Sequence, residues 1–178
     1  PEANLYFLNP AGIMFGEHAS LDVQGSFHAS TADVLRLGNE GRFHARQPEQ
    51  SVLSVAPPSA FGFLTNSPAP ITTQDSYLSV PFGKSLSLIG GDIHLQGSFP
   101  NFKFSFKPYE ARPEPEFGKG ETVAAKIAKI SSLMIDSGRL NLASVASPGE
   151  VILTDTGLQV SANTQGGRIL VNNTLLDV

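Results

Sequence analysis

The stretch NLYFLNPAGIMFG, residues 4–16, decides the fold because a four-residue turn divides its two apolar runs. Asn9, Pro10 and Gly12 stand at the first, second and fourth positions of that turn, where type I turns favour these residue types. A proline also pushes the residue before it toward extended backbone, which disfavours a helix through Asn9. The stretch therefore predicts a strand, a tight corner and a second strand. Both strands are apolar at nearly every residue, which indicates burial on two faces.

The composition of the whole chain excludes several classes of protein. The 178 residues suffice for one domain with a core, and their net charge of −4 offers no basic footprint for nucleic acid. Only 16% of residues are charged, against about 25% in ordinary globular domains, so small polar residues must cover much of the surface. The chain has no cysteine and hence no disulfide or thiolate chemistry, which leaves the compartment open. No apolar run approaches the roughly 20 residues that span a bilayer.

A recurring pattern beyond residue 77 predicts how the strands are arranged. A glycine, a charged residue and then alternating aliphatic residues recur at irregular intervals, as in a solenoid whose coils share strand positions while their loops vary. The clearest copies begin at Gly91, Gly138, Gly149 and Gly167. An antiparallel sandwich would favour Asn-Gly or Asp-Gly hairpins, and the sequence contains neither dipeptide. A sandwich stays as the alternative fold.

Residues 97–134 break this pattern and are predicted to be an insertion extruded from a single solenoid domain, residues 1–178. Four phenylalanines in it alternate roughly with polar residues, like an edge hairpin. Apolar residues at helical spacing between Glu121 and Met134 predict a short helix, although the β-branched residues at 127 and 130 also fit a strand. The four phenylalanines are Phe99, Phe102, Phe104 and Phe106.

Four blocks of sequence, taken in order and spacing, carry a resemblance to a known family. They are Asn9–Ile13 followed by Phe15–Gly16, then Leu21–Ala32, Val80–Ile93 and Gly138–Val145. With these blocks the chain resembles the haemagglutination-activity domain, or two-partner secretion domain, of filamentous-haemagglutinin-like exoproteins. The cyanobacterial copies look most similar.

The resemblance implies an all-β fold, a right-handed parallel β-helix. It implies a secreted or cell-surface protein of a Gram-negative bacterium, recognised and exported by an outer-membrane β-barrel transporter. The chain departs from the family pattern at Ala11, where the family usually carries Asn, and in lacking the family's N-terminal capping strands. An uncapped coil exposes strand edges, so we expect self-association or a companion chain at the residue 1 end.

The sequence also yields candidate site residues. Asn9, Pro10, Gly12 and Ile13 are expected to set the register of the first coils and, through it, recognition by the transporter, because a slip of one residue would turn the apolar faces outward. The phenylalanine quartet is a candidate contact for a partner protein or a cell-surface glycan, or else packs on the flank of the β-helix.

The polar residues give no clear catalytic or metal-binding constellation. The four histidines lack metal-ligand spacing, and His28 and His94 read as exposed residues on outward-facing strand positions. Asp92 and Asp136 lie beside turn glycines, where they could form the carboxylate pair of a polysaccharide-cleaving β-helix or simply accept turn amides. We expect no catalytic residue, metal or cofactor.

Two functions from different classes follow. The first is a non-enzymatic secretion and adhesion module that nucleates a longer β-helical adhesin. The alternative is a carbohydrate-active or carbohydrate-binding parallel β-helix protein.

Overall fold

The computed structural model describes residues 2–98 and 131–177, and this part of the chain is built from short strands. The one helical element in these two ranges is a single 3-10 turn, Pro48–Gln50. The strands in chain order are β1 Leu5–Leu8, β2 Ile13–Phe15, β3 Phe27–Ser30, β4 Val34–Leu37, β5 Gly41–His44, β6 Pro58–Phe63, β7 Ile71–Gln74, β8 Tyr77–Val80, β9 Ser85–Gly90, β10 Ile93–Gln96, β11 Ser131–Ile135, β12 Arg139–Ser144, β13 Gly149–Thr154, β14 Gly157–Val160, β15 Ile169–Asn172 and β16 Thr174–Asp177.

Three parallel sheets form a solenoid. Sheet 1 has the order β1-β3-β9-β12, sheet 2 the order β2-β7-β10-β15 and sheet 3 the order β8-β11-β16. The chain visits the sheets in turn, so each of four coils adds one strand to sheet 1 and then one to sheet 2, and the last three coils add one to sheet 3. Every neighbouring pair in these sheets runs in the same direction. The predicted stacking of coils in parallel is therefore confirmed.

The inside of the solenoid is filled by ladders of aliphatic side chains. In sheet 2, Ile13, Ile71 and Ile93 occupy one register position in successive coils. Ile71 and Ile93 are fully buried and Ile13 is 7% exposed. Full burial of such a side chain is worth about 1.5–3 kcal/mol, so the ladders supply much of the stability of the coils.

A fourth, antiparallel sheet covers one outer side of the solenoid. Sheet 4 has the order β14-β13-β6-β4-β5. It is made by two excursions of the chain, residues 31–70 and 145–168, each of which leaves sheet 1 and returns to sheet 2. Its Leu35, Phe61 and Val151 form a second core with Ile89 and Ala143 from the outward face of sheet 1. Both faces of sheet 1 are thus covered, and its outward face buries polar residues such as His28 and Ser87 beside the apolar ones.

Two expectations about individual segments are corrected. The predicted helix over Glu121–Met134 is wrong at its end, since residues 131–134 belong to strand β11; the remainder of that helix lies outside the described residues. Burial on two faces is wrong for the first coil, where Leu5 and Phe7 are 48% and 44% exposed and Met14 is 66% exposed. Leu5 and Phe7 are exposed because β1 is an edge strand of sheet 1, whereas Met14 is exposed because it lies on the outward face of β2.

Candidate functional site

The first corner, residues 9–12, joins β1 to β2 with the turn that the sequence predicts. The Gly12 amide donates to the Asn9 carbonyl oxygen at 3.1 Å, which closes the four-residue turn. The Ala11 amide donates to the side-chain Oδ1 of Asn9, also at 3.1 Å. Gly12 has a φ of +113°, a backbone conformation that residues with a Cβ rarely adopt. Asn9 and Gly12 therefore have separate structural roles, one bonding to the turn and the other permitting its geometry.

The first corner also holds together the two ends of the first excursion. The Asn9 amide donates to the carbonyl of Ser30 at 2.9 Å, where the second coil leaves sheet 1. The Ile13 amide donates to the carbonyl of Pro70 at 3.2 Å, where that coil returns to sheet 2. Ser30 and Pro70 of the second coil are far apart in sequence. The short corner of the first coil bonds to both, and so holds them close together in space.

An arginine from the first excursion ties the corner to sheet 4. The Pro10 carbonyl accepts a hydrogen bond from Nη2 of Arg46 at 3.0 Å. Nε of the same guanidinium donates to Oδ1 of Asp33 at 2.6 Å, and Oδ2 of Asp33 accepts the Leu64 amide at 2.8 Å. Asp33 is buried, so its charge is matched by one ion pair and one backbone donor. Sequence reasoning missed the role of Arg46, because no local pattern links a residue to partners 13 and 36 positions away.

In the coils next to the first corner, the backbone at Gly91 lies directly against the backbone at Pro68 and Ala69. Thr31 Oγ1 donates to the Ala69 carbonyl at 2.7 Å and accepts the Gly91 amide at 3.3 Å. Ser144 Oγ donates to the Gly91 carbonyl at 2.7 Å. A Cβ at position 91 would collide with the Pro68 carbonyl, so only glycine fits at this position of the third coil.

Ile13 is the fourth residue that the sequence singled out, and it begins the isoleucine ladder of sheet 2. It follows directly on Gly12, so the turn fixes which residue of β2 points into the solenoid. A shift of one residue would place Met14, now outward and 66% exposed, into the ladder. Asn9, Pro10, Gly12 and Ile13 are therefore brought together in one corner, each with a different contact.

The structure separates the two carboxylates that could have formed a catalytic pair. Asp92 lies between β9 and β10, whereas Asp136 lies between β11 and β12, at a different corner of the solenoid. Asp92 accepts the Arg168 amide at 3.0 Å and a side-chain hydrogen bond from the same arginine at 2.8 Å. These bonds, the backbone one first, lower the pKa of Asp92 below its ordinary value. Asp92 thus accepts a backbone amide, as the non-catalytic interpretation expects.

His28 corrects another expectation from the sequence. It does face away from the solenoid interior, but it is buried rather than exposed, because it lies on the covered face of sheet 1. Its ring stacks on Tyr6 with centroids 4.6 Å apart, and Nδ1 lies 2.9 Å from Ser87 Oγ. Burial lowers the pKa of His28 to about 4, so the ring is neutral at pH 7.

The phenylalanine quartet, metal-binding clusters and membrane-spanning helices are the remaining candidate features. The four phenylalanines between residues 99 and 106 lie outside the described residues. Within residues 2–98 and 131–177, no group of three or more His, Asp or Glu side chains is arranged to hold a metal ion. No helix in these same ranges is long and apolar enough to cross a membrane.

The parallel coils, the isoleucine ladder and the Asn-Pro-x-Gly corner define the chain as a β-solenoid protein. Comparison with protein families identifies it further. The family model described as the TPS secretion domain matches residues 1–174, and the chain belongs to this family. It is thus a secretion module of a two-partner-secreted exoprotein. No curated protein and no solved structure matches the chain.

Proposed function

We propose that an outer-membrane β-barrel transporter recognises this module and exports it, and that the exported solenoid nucleates the folding of a longer β-helical adhesin. The observation that carries the proposal is the match to the TPS secretion domain over nearly the whole chain. The product would then be located outside the cell or at its surface.

The last coil supports the nucleation step. β15 and β16 are edge strands of sheets 2 and 3 among the described residues. Ile169, Val171 and Leu176 lie in register with buried residues of the coil before, yet they are 42%, 43% and 39% exposed. An exposed parallel edge with apolar residues in register pairs readily with a further strand. At the opposite end, the edge of β1 that pairs with no described strand would accept a companion strand or a second copy in the same way.

The first corner would serve export through the register that it sets. Asn9 fixes the turn, Gly12 permits it and Ile13 then enters the ladder, so a misformed corner would misplace every coil stacked above it. The corner would therefore act as a structural requirement of export rather than as a set of side chains that the transporter reads one by one.

A secretion assay in a Gram-negative host tests this proposal. The chain, fused to a signal peptide, is produced with and without a two-partner transporter from its own genome, and its amount in the medium is measured. Export is expected only with the transporter. Equal release in the absence of the transporter would overturn the assignment.

Three variants separate the structural role of the corner from direct recognition. Gly12→Val introduces a β-branched residue at φ +113°, and we expect a lower folding yield and lower export. Asn9→Asp keeps the acceptor for the Ala11 amide, so folding and export should both stay near the parent level. Gly16→Ala, at a glycine with nothing within 4 Å of an added Cβ, is the matched control. An Asn9→Asp protein that folds normally but is not exported would show that the transporter reads the amide itself.

A further inference from the structure

The outward face of sheet 4 carries a cavity that the secretion function does not use. Its volume is about 760 Å³, within the range of ordinary small-molecule sites. The floor lies at Gly62 in the central strand β6, where the absence of a side chain leaves the sheet face open. Arg36, Arg42 and Glu150 line the walls. The cavity therefore combines a small-residue floor with walls that carry charged groups beside apolar side chains such as Val34 and Leu64.

Two of these wall residues form an unusual pair. Arg36 of β4 and Arg42 of β5 are direct cross-strand partners, and like charges in that position repel each other. Arg36 is matched by Glu150, whose two carboxylate oxygens lie 3.0 and 3.2 Å from Nη1. No carboxylate of the described residues forms an ion pair with Arg42, which is exposed. An anionic group placed between the arginines would relieve the repulsion and engage a guanidinium that pairs with no carboxylate of the described residues.

The remaining walls indicate what else the ligand carries. Asn39 and Glu40, from the turn between β4 and β5, face the same cavity, and Glu150 supplies a second carboxylate. The two carboxylates beside the arginines disfavour a second anionic group within the cavity, and they accept hydrogen bonds from hydroxyl groups. The site lies on a sheet face rather than at an edge, so an extended peptide could not join it as an extra strand. A mixture of hydroxyl groups with one carboxylate fits this lining best.

We propose that this cavity binds an acidic saccharide, with the carboxylate of a uronic acid held by Arg42 and Arg36 and its hydroxyl groups bonded by Glu40, Glu150 and Asn39. This gives the module a glycan-binding site on sheet 4, the accessory sheet of the solenoid, separate from the corner that serves folding and export. Arg42 is the principal anchor because it brings a charge that no ion pair of the described residues satisfies.

Isothermal titration calorimetry with a hexamer of mannuronic acid tests the proposal at low salt. The parent protein should bind it, binding should weaken as salt increases, and neutral maltohexaose should bind much more weakly. Hexaglutamate distinguishes an acidic peptide from a saccharide and should also bind more weakly. Equal binding of hexaglutamate, or no binding of the uronate at millimolar concentration, would overturn the proposal.

Three variants test the named residues. Arg42→Gln should weaken uronate binding by about tenfold, as expected for the loss of one charge-assisted hydrogen bond. Gly62→Val should abolish binding by filling the floor; an added Cβ there meets only Val34, at 3.5 Å, so the strand can accept it. Glu150→Gln should strengthen binding severalfold, since it removes a negative charge beside the bound carboxylate while the amide oxygen still accepts a hydroxyl group. Arg139→Gln, outside the cavity lining, is the control of equal charge change. Unchanged affinity in both Arg42→Gln and Gly62→Val, with the fold confirmed by circular dichroism, would contradict the assignment.

Discussion

Arg46 and Asp33 form the ion pair that joins the first corner of the solenoid to its accessory sheet, with Nε and Oδ1 2.6 Å apart. The aspartate side chain is 5% exposed, whereas the arginine side chain is 54% exposed and also reaches the Pro10 carbonyl. A buried carboxylate of the first excursion is therefore neutralised by the same side chain that holds the corner. This arrangement links the folding of sheet 4 to that of the first coil.

Replacing this arginine should destabilise the protein measurably. Arg46→Ala leaves a buried carboxylate with only the Leu64 amide as donor and releases the Pro10 carbonyl, so we expect a loss of about 2 kcal/mol in the free energy of unfolding. Urea denaturation at neutral pH measures it. Arg168→Ala is the control, because solvent screens its pair with Asp92 and the loss of stability should be much smaller. Equal losses in the two variants would show that the Asp33 pair has no special role.

The close approach of coils at Gly91 predicts a second effect on stability. Gly91→Ala would press a methyl group into the carbonyls of Pro68 and Ala69, and backbone atoms cannot move aside as a flexible side chain can. Overpacking of this kind costs about 1–3 kcal/mol. The urea midpoint of Gly91→Ala should fall well below that of Gly16→Ala, where the added methyl group has open space. Coinciding midpoints would mean that the coils can separate here without cost.

Leu88 lies at the centre of the solenoid core, so its truncation measures how much stability a cavity costs there. It is fully buried in β9, between the parallel strands β3 and β12. Leu88→Ala should lower the free energy of unfolding by about 2–5 kcal/mol. Leu170→Ala removes the same atoms from a residue that is 45% exposed on β15 and should change it by about 0.5 kcal/mol or less. A small loss at Leu88 would indicate that the ladders repack easily.

His28 predicts a dependence of stability on pH. The unfolded chain binds a proton at this residue with the ordinary pKa of 6.5, and the folded chain only near 4, because burial disfavours the charged ring. Unfolding therefore takes up a proton at His28 when the pH lies between these two values. Above pH 6.5 His28 does not lower the free energy of unfolding, and this free energy falls as the pH drops from 6.5 toward 4. The loss is at most about 3 kcal/mol.

Urea denaturation at pH 7.5 and pH 4.5 measures this effect. His28→Gln should show a smaller drop in stability between the two conditions than the parent. His18→Gln, at a histidine whose side chain is 92% exposed, should show the same drop as the parent. If His28→Gln loses as much stability on acidification as the parent, another group is responsible.

Much of the solenoid could be predicted because its signals are local. Turn chemistry identified the corner at Asn9–Gly12, and the alternation of aliphatic residues after glycines such as Gly91 and Gly138 identified strands that stack in parallel. Each of these signals extends over fewer than about ten residues and rests on backbone sterics or on the two-residue period of a strand. The structure confirms the corner and the parallel stacking of the strands after Gly91 and Gly138. The strand after Gly149 instead pairs antiparallel in sheet 4, so its predicted place in the solenoid is wrong.

The accessory sheet could not be predicted in this way. Its central pairing joins Ala60–Phe63 of one excursion to Gly149–Ile152 of the other, segments that are far apart in sequence and carry no signal for each other. The same distance explains why the burial of His28 was missed. Its strand position was inferred correctly, but what covers that position comes from elsewhere in the chain.

The sequence by itself determined the corner, the strand periodicity and hence the class of fold, since these depend on preferences within a few residues. Only the tertiary structure decided which faces are covered, that Arg46 joins Pro10 to Asp33, and that Arg36, Arg42 and Gly62 line one cavity. Those features depend on which distant strands pair, and this is settled by the joint burial of many side chains rather than by any short stretch.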